Sequence, residues 1–274
     1  MERATARLFD AMADDYDRLE PWYEHLYGVL HPLLVAAVTP AHDDGPRRAL
    51  DAGCGTGAQT ALLEALGYAS HGVDVAPRLL ARARGRLARA ALALADVAAL
   101  PYRAASFDVV VCCGSTLSFV DDPAAALREL GRVLRPRGRL FLECEHRVSL
   151  DLAWALLSAS TGDSLGYGLS VGAAWRHLAR GGASTVEYPG YGRLRLFARS
   201  ELTAMLAGAG LRPLRWWGIH ALTNLIPSTV LHRDRLGRWT AALFRALAAV
   251  DAKLARFPPT QRMANSLVVL AEKL

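Results

Sequence analysis

No segment constrains this chain more than Leu50-Asp51-Ala52-Gly53-Cys54-Gly55-Thr56-Gly57. Ala49 to Ala52 reads as the end of an apolar strand and Ala58 to Leu66 as a helix, so the glycines form a strand-to-helix turn. Such a turn brings backbone N–H groups close to a ligand that a Cβ would hold off. Two patterns fit it. Gly53, Gly55 and Ala58 match the G-x-G-x-x-A of dinucleotide-binding turns. Asp51, Gly53, Gly55 and Gly57 match D-x-G-x-G-x-G, which serves a different ligand. Asp74, an acid closing the next strand, does not separate them, because it can hold ribose hydroxyls in either case.

The surrounding pattern gives the fold class. Apolar strands are expected at His71–Val75, Ala91–Leu94, Phe107–Cys112 and Arg139–Cys144, with helices at Arg78–Arg89 and Pro123–Leu134 between them. Near-continuous apolar strands alternating with helices imply a parallel sheet covered on both faces. Regularity then breaks over residues 146–192, which hold Trp154, Tyr167, Trp175, Tyr188, Tyr191 and eight of the 23 glycines, and this reads as an insertion. A helix starting at Arg199, a sixth strand at Leu211–His220 and a seventh at Ser266–Ala271 complete the sheet. Between those strands Leu236, Trp239, Leu243, Leu247, Val250 and Leu254 place an apolar stripe on a helix from Arg235 to Phe257.

Composition narrows the class further. With 274 residues, 52% of them hydrophobic and 21% charged, the chain can bury a core without disulfides or metal. No apolar run reaches the ~18 residues of a membrane span. The start carries Asp10, Asp14, Asp15 and Asp17 and lacks the basic-then-apolar order of a secretory signal. Cys54, Cys112, Cys113 and Cys144 form no C-x-x-C pair and read as small core residues in a reducing cytosol, with no metal site. The net charge is +6, yet only Lys253 and Lys273 are lysines, and such a charge does not by itself imply nucleic acid. Arg78, Arg82, Arg86 and Arg89 share one helix face, read as solvated.

Five features in order resemble the class I S-adenosylmethionine-dependent methyltransferases of the small-molecule type. They are Phe9-Asp10-Ala11-Met12-Ala13-Asp14-Asp15-Tyr16-Asp17; the glycine turn; Gly72-Val73-Asp74; Ala95-Asp96 with Leu100-Pro101-Tyr102 and Ser106-Phe107-Asp108; and Arg132-Val133-Leu134-Arg135-Pro136-Arg137-Gly138. In the last, Arg137 replaces a usual glycine, and Gly138 is expected to keep the position that needs positive φ. The resemblance implies an α/β, Rossmann-like, seven-stranded methyltransferase sheet with helices on both faces and an inserted substrate cap. It implies one domain over 1–274: an N-terminal helical segment at 1–40, a cofactor core at 48–145, and cap insertions at 146–192 and 227–262.

The same resemblance implies S-adenosyl-L-methionine as cofactor and assigns residues to it. Asp51, Gly53, Cys54 and Gly55 bind it, Gly53 and Gly55 passing under its methionine part. Asp74 and Val75 take the ribose, Asp96 and Val97 the adenine, Cys113 and Gly114 the methionine end, and Tyr16 closes the site. The expected function is methyl transfer to a small molecule by a cytoplasmic enzyme, with the O-, N-, C- or S-acceptor open. Two alternatives stand beside it: methylation of an isoprenoid quinone or lipid by a membrane-associated enzyme, and a non-catalytic cofactor-binding regulator.

Cys112-Cys113-Gly114-Ser115 carries neither the N/D-P-P-Y of amino methyltransferases acting on DNA nor the Pro-Cys of cytosine C5 enzymes. The acceptor is therefore expected above the carboxyl ends of the fourth and fifth strands. There Ser115, Thr116, Glu143, Glu145 and His146 lie near the pocket mouth, with His146 as candidate base. Trp175 and Tyr191 of the insertion are expected to meet the substrate, and Trp216 and Trp217 to add an apolar wall or to be core and edge. The helix 235–257 either packs on the cap or makes a peripheral membrane contact.

Overall fold

The computed structural model describes residues 2–14, 16, 21–39, 47–179, 185–188, 192–231 and 236–274. Helices α1 (Glu2–Met12) and α2 (Pro21–Val38) come first. The core follows as β1 (Arg48–Ala52), α3 (Ala58–Ala65), β2 (Ala69–Asp74), α4 (Pro77–Arg86), β3 (Ala91–Leu94), β4 (Phe107–Cys112), α5 (Pro123–Val133) and β5 (Leu134–Glu145). Then come α6 (Leu150–Ser160), α7 (Val171–Ala179), the hairpin β6 (Thr185–Tyr188) and β7 (Gly192–Arg195), α8 (Arg199–Gly208) and β8 (Leu211–Ile219). The chain closes with α9 (Ser228–Leu231), α10 (Arg238–Leu254), α11 (Pro258–Met263) and β9 (Ser266–Lys273).

Seven strands form one sheet in the order β3-β2-β1-β4-β5-β9-β8. β1 to β5 run parallel, but β9 is antiparallel to both β5 and β8, so the sheet is mixed rather than wholly parallel. The central strands are covered twice, as their unbroken apolar character requires. Leu50, Val110 and Leu142 face Leu127 and Leu130 of α5 and Leu202 and Leu206 of α8. Ala49, Val111 and Phe141 face the other way, onto Leu30 and Leu34 of α2 and onto Trp217. Trp217 is thus core, while Trp216 lies under the Arg199 guanidinium at 4.9 Å, and neither lines the cavity beyond the glycine turn.

Near the start of β5, where its register with β4 shifts, the positive φ falls on Arg137, at 64°, and not on Gly138. Gly138 is needed for a different reason. A Cβ there would lie 2.9 Å from the Arg135 carbonyl oxygen.

The expected insertion holds α6, α7 and the β6–β7 hairpin, which forms a sheet of its own. Both late segments meet at the turn Thr223–Leu225. Trp154 of α6 donates to the Asn224 carbonyl at 2.8 Å, and buried Asp251 of α10 accepts the N–H groups of Leu222 and Thr223. The long helix is described from Arg238, and Arg235 lies outside the described residues, as do Asp15, Asp17 and Tyr191.

Candidate functional site

Strand order reverses between β1 and β4, since the chain runs outward to β3 and returns on the other side. In an open α/β sheet the crevice beyond the carboxyl ends of such strands is where ligands bind. A cavity of about 260 Å³ sits there, bounded by the glycine turn, the ends of β2 and β3, the segment after β4, and α1.

The turn is tied to the sheet by Gly53 and Cys54, whose N–H groups both donate to the Val73 carbonyl. Gly53 has φ +81°, and a Cβ on it would collide with the Thr116 side chain. Gly55 has φ +51° and looks across the cavity at the Tyr16 ring, about 4 Å from where its Cβ would stand. A side chain at Gly55 would fill the space a ligand needs. The turn is a cradle kept open by the absence of Cβ atoms.

Asp74 ends β2 at the cavity wall. Its Oδ2 accepts the Gly55 N–H at 2.8 Å and its Oδ1 the Ala76 N–H at 2.9 Å. Burial pushes this carboxyl up, against the pull of those N–H groups. Each oxygen keeps a lone pair for a ligand. Asp96 is held by the Ala98 N–H at 2.7 Å, with Val97 beside it on the wall. Asp51 does not line the cavity. It lies buried beneath the turn, bonded by Thr60 Oγ1 at 2.6 Å, and burial pushes it up to about 7, with the Asp74 charge adding to the effect.

The outer wall comes from α1 and its continuation. Phe9 stands edge-on to Phe119 at 5.1 Å and to Tyr16 at 6.3 Å. Two arginines of α4 hold this segment down. Arg78 Nη2 and Arg82 Nη2 both donate to the Asp14 carboxylate, and the Arg78 backbone N–H donates to Asp10. The face is exposed, as expected, and its first two arginines also tie down the acidic N-terminal segment.

Several wall residues escaped the sequence reading, Asp121 and Asp122 among them. Tyr27 of α2 and Gln59 of α3 line the cavity, with His31 stacked on Tyr27 at 4.6 Å and 3.4 Å from Gln59. Burial holds the Tyr27 hydroxyl protonated and drops His31 to about 4. An aromatic within an apolar helix carries no signal of this kind, and only the folding of α2 over the turn brings it there.

Most residues expected on the acceptor side lie elsewhere. Glu143 is wholly buried, accepts the Ser115 N–H at 2.8 Å, and is pushed up by burial. Ser115 Oγ donates to Glu145 rather than into the cavity, and burial next to Glu143 raises Glu145 to about 8. His146 is not at the mouth. It is 7% exposed, with Nδ1 3.0 Å from the Ala264 carbonyl, and burial depresses its pKa. The cause is that β5 runs on to Glu145 and His146 bridges to Phe197, which turns the ring inward. Trp175 is 55% exposed on α7 and does not line the cavity. All four cysteines are buried, and burial raises each thiol, so they are protonated. No cluster able to hold a metal occurs among the described residues.

The charge of the wall bears on which ligand the cavity takes. Four carboxylates line it, from Asp74, Asp96, Asp121 and Asp122, and among the described residues no lysine, arginine or histidine does. Such a wall favours a cationic ligand over a pyrophosphate. Residues 50–142 match the family described as methyltransferase domain. Residues 50–142 are a class I methyltransferase domain.

S-adenosyl-L-methionine is the cofactor of this domain, and the open cradle and anionic wall fit it. The chain is 39% identical over 161 residues to a malonyl-[acyl-carrier protein] O-methyltransferase of Halorhodospira halophila, covering 56% of this chain and 52% of that protein. It is 32% identical over 137 residues to a ubiquinone biosynthesis O-methyltransferase of Xanthomonas oryzae pv. oryzae, covering 47% of this chain and 56% of that one. The chain thus spans about half the length of these relatives. An S-adenosylmethionine-dependent methyltransferase from Mesorhizobium loti shares the fold, with a TM-score of 0.54, 19% identity, and coverage of 88% of this chain and 96% of that one. No helix among the described residues is long and apolar enough to cross a membrane.

Proposed function

We propose that this chain transfers a methyl group from S-adenosylmethionine to an oxygen atom of a small organic acceptor. The observation that carries the reading is the cavity wall, with four carboxylates, an open glycine cradle and no cation among its described residues. The names of the two relatives, both O-methyltransferases, support oxygen as the acceptor atom.

When bound, the cofactor supplies a methyl group on a sulfonium, already activated toward displacement. The residues of this chain hold and orient. The Asp74 carboxylate accepts from vicinal hydroxyls, and charged acceptors make the stronger hydrogen bonds. Asp96 accepts from an exocyclic amine, with Val97 against the ring. Gly53 and Gly55 admit a ligand to van der Waals distance of the backbone, and Cys113 and Gly114 shape the far end. Phe9 of α1 and Tyr16 just beyond it cover the site and exclude water. The acceptor enters past Tyr27 and Gln59, whose neutral hydroxyl and amide can orient an oxygen. Placement of two reactants in line supplies much of the rate. Glu143 and Ser115 act behind the wall, as supports for the segment after β4, and His146 holds β5 to the segment before β9. Trp175 of the insertion stands exposed and off the cavity.

The test is release of S-adenosylhomocysteine in the presence of panels of carboxylic acids and phenols. Acceptor-dependent release that Asp74→Ala abolishes supports the reading. Tight binding of the cofactor with no release under any acceptor would make the chain a cofactor-binding regulator.

A further inference from the structure

Helix α10 is attached to the rest of the molecule along one narrow side. Phe244 is buried against Ile226 and Leu231, with Leu236, Leu247 and Ala248 partly buried around it. Asp251, the one acidic residue between 236 and 264, is also buried, and its carboxylate receives the Leu222 and Thr223 N–H groups. A surface helix ordinarily turns polar groups outward from such an attachment. This one does not. Trp239 is 75% exposed, and Leu243 and Val250 are about half exposed. At 3.6 residues per turn these three lie within about 40° of one another on the helix circumference. Exposed Ala242 and Ala246 continue the strip, and exposed Phe257 and Met263 follow just beyond the helix.

The charges around the strip have one sign. Arg238, Arg245, Lys253, Arg256 and Arg262 are all exposed, and no exposed carboxylate occurs from 236 to 264. Arg238 stacks over the Trp239 ring at 4.9 Å, so a cation and the largest apolar side chain present together. Single exposed apolar residues need no explanation, but a strip of them fringed by cations alone does. An amphipathic helix of this make-up lies flat in the headgroup region of an anionic bilayer, with apolar groups inserted and cations on lipid phosphates. A two-fold contact with a second copy would bring the same five cations against each other, which disfavours that occupant.

We propose that α10, with the segment running into α11, is a docking surface for an anionic lipid bilayer. Trp239, Leu243 and Val250 enter the headgroup region, and Arg238, Arg245 and Lys253 bind lipid phosphate. The inference stands on this surface alone and does not depend on the methyl-transfer reading.

The experiment is co-sedimentation of the full chain with vesicles of phosphatidylcholine, alone or mixed with phosphatidylglycerol, without cofactor. Binding to the mixed vesicles only, lost at high salt, is expected. Trp239→Ala with Leu243→Ala, and separately Arg238→Glu with Arg245→Glu, should each lower the bound fraction about tenfold while the melting temperature holds, since these side chains are exposed. Absence of vesicle binding would overturn the proposal, as would binding equal on neutral vesicles or unchanged in both variants. Sedimentation velocity showing a dimer that Trp239→Ala dissociates, or saturable binding to an acidic protein with none to vesicles, would overturn it in favour of that occupant.

Discussion

Replacing Asp74 by alanine tests the site at its most connected residue. In the folded chain its two oxygens accept the N–H groups of Gly55 and Ala76. Removing them leaves two donors at the rim of an open cavity. The space the carboxylate vacates opens into the cavity and admits water, so the low end of the usual penalty applies, about 1 kcal/mol per donor and about 2 kcal/mol in all. For a chain of this size that is a fall of roughly 4–8 °C in melting temperature. Ligand binding should suffer more. Two charge-assisted hydrogen bonds to vicinal hydroxyls, at roughly 1.5–3 kcal/mol each, correspond to a loss of about a hundredfold to ten-thousandfold in affinity. Cys113→Ser is the control, because a serine keeps the main-chain groups and nearly the shape of a thiol that is protonated anyway. Calorimetry with S-adenosylhomocysteine gives the affinities, and thermal melts without ligand give the stability. An Asp74→Ala protein that binds as tightly as Cys113→Ser would refute the role given to this carboxylate.

The acid beneath the turn should leave a mark on pH dependence. Asp51 sits at about 7 when folded and near ~3.9 when unfolded, so the folded state binds the proton more tightly. Its contribution is full below about pH 4 and is lost as pH rises through about 7. Urea melts of the ligand-free chain should flatten across that window in Asp51→Asn, and a slope equal to wild type would count against it. Arg78→Ala with Arg82→Ala frees the α1 segment from α4, and cofactor dissociation should quicken severalfold in stopped flow with little change in melting temperature, because the pairs are exposed. His146→Gln should lower the melting temperature and leave kcat and its pH profile in place, whereas a base at position 146 would shift that profile.

What the sequence made legible was local. The glycine turn, β4 at Phe107–Cys112 and the helix after Pro123 follow from neighbouring residues, through backbone conformation and apolar periodicity. The seven strands were countable for the same reason. Their directions were not, because β9 turns antiparallel through pairing with β5, more than a hundred residues earlier. Long-range pairing also explains the misplaced acceptor side. His146 looks like a residue at a strand end facing a pocket, and only the contact with Ala264 shows its ring turned inward. Surface patterns were only half legible. The arginines of α4 are exposed, yet two of them also hold the N-terminal segment, and the stripe of α10, open between packing and a membrane contact, is half exposed. Tyr27 and Gln59 had no local signature at all.

The central claim is that the cavity takes an adenosyl sulfonium ligand and not a dinucleotide. Isothermal titration of the purified chain with S-adenosylmethionine, S-adenosylhomocysteine and NAD measures it most directly. The account predicts saturable one-to-one binding of both adenosyl ligands and no heat from NAD, since the wall offers four carboxylates and no described cation to a pyrophosphate. Saturable binding of NAD with no response to either adenosyl ligand would contradict it.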